Sequence, residues 1–158
     1  MAEKDGLKKG DRGDSAGAVY VVGIGPGSLE HLTERAKAVI RESDCIVGYT
    51  RYVGLIEGLI EGKEVFANGM TFEVERCRKA IELAGTGRTV SVISSGDSGI
   101  YGMAGLVLQL AASAGVKVRV EVVPGVPAFV AAASILGAPL MHDFASVSLS
   151  DLLTDWDK

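Results

Sequence analysis

The stretch TVSVISSGDSGIYGMAGLVLQL, Thr89 to Leu110, runs from a β-branched segment through four glycines and one carboxylate straight into an apolar helical pattern. A short buried strand, a loop of small residues and a helix in that order form the repeating unit of an α/β sheet. The same alternation is found on both sides of it. Short runs rich in β-branched residues occur at AVYVVG (Ala18 to Gly23), CIVG (Cys45 to Gly48), EVFA (Glu64 to Ala67), TVSVIS (Thr89 to Ser94) and VRVEVV (Val118 to Val123). They predict an α/β fold with a five-stranded, mainly parallel sheet flanked by helices.

Between the first two runs, Leu32, Ala36, Val39 and Ile40 share one helical face, and Thr33 stands where an N-cap is expected. Between the third and fourth, Val74, Cys77, Ile81 and Ala84 repeat the spacing behind Thr71, and GTG at Gly85 to Gly87 marks the stop. Met103, Leu106, Val107, Leu110, Ala111 and Ala114 form a stripe wide enough to predict a helix covered on several sides. Thr50 to Ile60 reads as a weaker helix, because each internal glycine costs about 1 kcal/mol relative to alanine.

The chain has 158 residues, enough for one well-buried core. With 16 basic and 20 acidic side chains the net charge is -4, which lacks the basic excess of a phosphate-backbone binder, so nucleic acid is not an expected partner. The two cysteines, Cys45 and Cys77, form no CxxC pair and have no histidine cluster beside them, so no metal site is expected. The opening residues hold charge and glycine rather than a signal core, and no apolar run approaches the about 20 residues of a membrane span. A cytoplasmic protein without a membrane partner is expected. Residues 1–17 show no hydrophobic period and read as a flexible tail.

Ligands of parallel sheets bind at the carboxyl ends of strands, and three of the five loops there are rich in glycine or in small residues. The first, GIGPGS, fits a dinucleotide fingerprint at Gly23 and Gly25 but has Ser28 at the third position. The second strand then ends in Gly48, with no acidic residue for a ribose. A Rossmann-type nucleotide-binding protein therefore stays as a rival reading. In the second loop Asp97 reads either as a turn former or as an acceptor for ligand donors. The third, PGVPAFVAAASILGAPL, sets small residues where a helix can pack closely against a sheet or a flat ligand.

Taken in order, VYVVGIGPGSLEHLT, SSGDSGIYGMAG and VEVVPGVPAFVAAASILGAPLMHDF resemble the tetrapyrrole methylases over Ala18 to Trp156. Within that family the second loop and GAPLMHDFASVSLSDLL are most similar to the branch that methylates C17 of precorrin-3B or cobalt-precorrin-3, with ring contraction, in cobalamin biosynthesis. The resemblance implies S-adenosyl-L-methionine as methyl donor, contacted by Pro26, Ser95, Gly96, Asp97 and Ile100, with Tyr101 and Gly102 shaping the pocket and Pro127 and Ala128 in the third loop. It also implies a small-molecule tetrapyrrole, a corrin precursor, bordered by Gly25 and Gly27, with Tyr49, Thr50, Arg51 and Asn68 as further candidates. Arg51 can pair with a tetrapyrrole carboxylate or stand solvated at a helix start. His31 is a solvated loop residue or a proton carrier, and His142 is given no role. Cobalt-containing and metal-free substrates stay equally open.

The chain departs from the family pattern at several places. Pro127 stands where a hydroxyl residue is frequent. Thr50 and Gly69 stand where the uroporphyrinogen methylases carry an acid and a lysine, which points away from siroheme synthesis. The resemblance further implies an N-terminal methylase domain over 18–143 and, over 144–158, only the start of a C-terminal domain that should run for roughly a hundred residues. An incomplete enzyme, a homodimer or a complementary C-terminal polypeptide follow as expectations, beside the alternative of a non-catalytic binding or assembly module. On this reading Asp97→Ala matters only in a complete enzyme.

Overall fold

Each β-branched run is a strand in the computed structural model, which describes residues 17–148. The strands are β1 (Ala18–Gly23), β2 (Cys45–Tyr49), β3 (Glu64–Asn68), β4 (Thr89–Ser94) and β5 (Arg119–Val123). They form one sheet in the order β3-β2-β4-β1-β5, and every neighbouring pair is parallel. Val21 stands opposite Val92 on one side and Val122 on the other, so β1 lies inside the sheet. The helices are α1 (Glu34–Glu42), α2 (Thr50–Gly54), α3 (Glu73–Gly85), α4 (Ala104–Ser113) and α5 (Ala128–Ile135).

Alternation along the strands sends side chains to two separate cores. Val19, Val21, Val47, Val90 and Val92 pack with Cys77, Ala80 and Ala84 of α3 and Val107 of α4. On the opposite face Val22, Ile46 and Ile93 meet Val39 and Ile40 of α1, with Val53 and Ile56 below. Most of these side chains are fully buried, and each such valine or isoleucine contributes about 1.5–3 kcal/mol.

Thr33 caps α1 as its sequence position predicts, its Oγ1 accepting from Ala36 N at 3.1 Å. The expected cap of α3 is different. That helix starts at Glu73 without a side-chain cap, while Thr71 adopts φ 70° and donates its hydroxyl to Met70 O at 2.6 Å. The chain has to turn sharply out of β3, and Thr71 serves that turn instead of the helix. The expected helix Thr50 to Ile60 is cut into α2 and a separate 3-10 turn, Glu57–Leu59, a break that its two glycines permit.

α4 buries only Ala104 and Val107 among its described neighbours, so it is not covered on several sides as its wide stripe suggests. α5, apolar but for Ser134, has no buried residue. Gly17, assigned to the tail by its sequence, is already part of the fold, since its carbonyl accepts from Arg119 N at 3.1 Å. The rest of the expected tail, and residues 149–158 of the expected start of a C-terminal domain, lie outside the described residues.

Burial of the two thiols has a chemical consequence. Desolvation pushes Cys77 up to about 11 and raises Cys45 in the same direction, so both stay protonated and unreactive near neutral pH. Iodoacetamide at about pH 8 is expected to label neither cysteine in the folded protein and both after denaturation. Labelling of native Cys77 at the rate of a free thiol would contradict this packing.

Candidate functional site

β1 and β4 lie side by side, yet their chains leave in opposite directions, β1 towards β2 and β4 towards β5. This is the point of a parallel sheet where loops diverge and leave a crevice above the strand ends. The loops after β1, β4 and β5 meet there through their backbones. Gly25 N donates to Gly96 O at 3.0 Å and Gly96 N donates to Gly25 O at 2.8 Å, a two-residue antiparallel bridge between the first and second loops.

The third loop is drawn in just as closely. A Cβ on Gly125 would sit 2.2 Å from Gly96 O and 2.7 Å from the Gly23 carbonyl, so only glycine leaves room for this approach. Gly96, at φ 59°, also needs the left-handed conformation that glycine adopts without strain.

Two side chains complete the junction. Asp97 accepts from Gly99 N through Oδ1 at 2.8 Å and from Gly125 N through Oδ2 at 3.0 Å, so one oxygen shapes its own turn and the other holds the third loop. Ser98 is fully buried and donates its hydroxyl to Val21 O at 3.1 Å, with Val123 O at 3.4 Å. The second loop is thereby fastened to both β1 and β5.

Above the junction opens a cleft of about 630 Å³. Pro26, Tyr49, Ser95, Gly96, Asp97, Ile100, Tyr101, Gly102, Pro127 and Ala128, all singled out from the sequence, line it together. The remaining sequence candidates are placed elsewhere. Gly25 is engaged in the backbone bridge below, and Gly27 is exposed at φ 123°. Thr50 donates its hydroxyl to Asn68 O at 3.1 Å, Arg51 is exposed on α2, and Asn68 spends its side chain on protein partners. His31 and His142 are both exposed.

The structure adds a wall that the sequence did not disclose. Tyr52, Met70, Glu73, Arg76, Met103, Leu106 and Phe129 also line the cleft. Arg76 is buried, and its Nη1 donates to Asn68 Oδ1 at 2.6 Å and to Gly69 O at 2.7 Å. Its Nη2 donates to Glu73 Oε1 at 2.9 Å. One available signal was the Glu73–Arg76 spacing of one helical turn, which permits such a pair. Tyr101, at φ 52°, donates its hydroxyl to Ser146 O at 2.8 Å, and Phe129 packs on Phe144, so the segment after α5 is held along the cleft.

Among the described residues no group of three or more His, Cys, Asp or Glu could hold a metal ion, and no helix is long and apolar enough to cross a membrane. The family described as tetrapyrrole (corrin/porphyrin) methylases matches residues 18–158. A probable cobalt-factor III C(17)-methyltransferase of Salmonella typhimurium is 52% identical over 136 residues, which cover 86% of this chain and 56% of that one. The crystal structure of the methyltransferase CobJ superposes with a TM-score of 0.79 at 39% identity, covering 89% of this chain and 59% of CobJ. Uroporphyrin-III C-methyl transferase from Thermus thermophilus, complexed with S-adenyl homocysteine, superposes with a TM-score of 0.63 at 30% identity, covering 80% and 54%. The chain thus spans a little over half the length of these proteins.

Because Asp97 holds the third loop, its replacement should be felt in the stability of this chain. Asp97→Ala is expected to cost about 2 kcal/mol, the net value of one part-buried amide bond to a charged acceptor, that from Gly125. Gly125→Ala should cost about 3 kcal/mol or more, since the new methyl meets backbone on two sides. Urea unfolding followed by circular dichroism measures both. A midpoint unchanged from wild type in either variant would mean that the loops are not locked in this way.

Proposed function

The chain belongs to the tetrapyrrole methylases, and from this premise we propose that it carries the donor-binding half of an S-adenosylmethionine-dependent methyltransferase acting on C17 of a cobalt-containing corrin precursor in cobalamin biosynthesis. The observation that carries this reading is the cleft at the junction of the three loops, whose floor is backbone and small side chains. Its volume, about 630 Å³, falls within the range of small-molecule pockets. The similarity to a protein named for cobalt-factor III favours a cobalt-containing substrate over a metal-free one.

The cleft fits the donor. The atoms nearest a Cβ position on Gly96 are backbone atoms of Val126, Pro127 and Ala128, so a ligand can come close to the main chain there. Ser95 and the backbone of Gly96 and Asp97 offer polar atoms, and Ile100, Met103, Leu106 and Phe129 offer apolar surface. Pro26, Tyr101, Gly102, Pro127 and Ala128 would complete the donor's surroundings. S-adenosylmethionine, when bound, supplies a methyl group already activated by its sulfonium. The protein is left to hold the two reactants in line and to exclude water, a task that needs rigid walls more than a nucleophile. Asp97 and Ser98 supply that rigidity by fixing the second loop to β1, β5 and the third loop.

Tyr49 at the end of β2, Tyr52 on α2 and Met70 just after β3 would border the tetrapyrrole. A second reading, a non-catalytic binding or assembly module, draws support from α5, which is apolar and has no buried residue among those described. Its partner would be a second copy of the chain or a complementary polypeptide.

The test is incubation of the protein, expressed from its full reading frame, with deuteromethyl S-adenosylmethionine and cobalt-factor III. Mass spectrometry is expected to find one labelled methyl on the tetrapyrrole. Tetrapyrrole binding without any methyl transfer would favour the binding-module reading instead.

A further inference from the structure

The ionisable side chains that line the cleft are Tyr49, Tyr52, Glu73, Arg76, Asp97 and Tyr101. Most are committed. Asp97 has a backbone amide on each carboxylate oxygen. Tyr101 gives its proton to Ser146 O, and the rings of Tyr49 and Tyr52 meet edge to face, 5.0 Å between centroids, while a tyrosine hydroxyl near neutral pH is a proton donor rather than a base. Arg76 is a permanent cation. Glu73 is the carboxylate of the set that keeps one oxygen open. Its Oε1 receives Arg76, and its Oε2 receives no hydrogen bond among the described residues, while the side chain is 41% exposed to the cleft and solvent.

Arg76 holds this carboxylate in place and is itself held, by Asn68 Oδ1 and Gly69 O at the exit of β3. A carboxylate held through one oxygen keeps the other available to take a proton from a ligand that comes within hydrogen-bond reach. We propose that Glu73 is the proton acceptor of the reaction, with Arg76 as its positioning residue.

This assignment rests on the methylase reading. In methyl transfer to carbon, the pair of the breaking C–S bond stays on sulfur, and a pair from the ring carbon makes the new C–C bond. The positive charge of the sulfonium passes to the tetrapyrrole, which regains neutrality by losing a proton. The free oxygen of Glu73 takes that proton and later returns it to water.

The experiment compares wild type, Glu73→Gln and Glu73→Ala, each expressed from the full reading frame. Single-turnover methylation is read by mass spectrometry, and binding of S-adenosylhomocysteine and of cobalt-factor III is read by calorimetry. Glu73→Gln keeps an acceptor for Arg76 but cannot take a proton. It is expected to lose about 100-fold or more in rate, with both affinities within about threefold of wild type. Added formate is expected to restore part of the rate in Glu73→Ala, which a merely structural role would not allow. A Glu73→Gln rate within about tenfold of wild type, a loss matched by weaker binding, or no rescue of Glu73→Ala by formate would each overturn the assignment. Absence of turnover in wild type would instead overturn the methylase reading, and this assignment with it.

Discussion

Backbone meeting backbone at Gly23, Gly96 and Gly125 is the constraint on which the site depends. Three loops from three strands come so close that a single Cβ at Gly125 would lie inside the van der Waals surface of the Gly96 carbonyl. Contacts of this kind cannot be made by side chains, which would hold the loops several ångströms apart. Close approach leaves the loop edges, Ser95 to Asp97 and Ile100 to Gly102 from the second loop and Pro127 to Ala128 from the third, as walls of one cleft. The parallel sheet makes the meeting possible, because β1 lies between β4 and β5 and sends its own loop between theirs.

Polar side chains then convert proximity into rigidity. Asp97 and Ser98 sit next to each other in sequence and reach different partners, one the third loop and the other the two strands beneath. A hydroxyl buried as fully as that of Ser98 is stable only when bonded, and its bonds end at the carbonyls of β1 and β5. The GDS sequence is thus an anchoring device first. Its contribution to ligand binding is the position in which it leaves the surrounding backbone.

Much of this was legible in the sequence, and the reasons differ between elements. The strands were legible because their β-branched runs are short, separated and bounded by glycine, and Thr33 because an isolated N-cap is a local event. Thr71 misled for a physical reason: a threonine before an acidic helical segment has the pattern of a cap, but the exit from β3 required it to turn at positive φ. Arg76 could not be read as buried, since its partners Asn68 and Gly69 come from the strand end and only folding brings them together. Arg51 is exposed at the start of α2, as one of its two readings has it, and the buried cation at the cleft is Arg76, which the sequence did not single out. The apolar stripe of α4 was legible as a stripe, but periodicity does not say what covers it.

Amide hydrogen exchange at Gly25, Gly96 and Gly125 tests most directly whether the three loops behave as one locked unit. All three amides are bonded within the junction, so they should exchange only through openings as rare as those of Val22 and Ile93 in the central strands. Exchange of any of them at the rate of an open-loop amide, while β1 and β4 stay protected, would contradict the account.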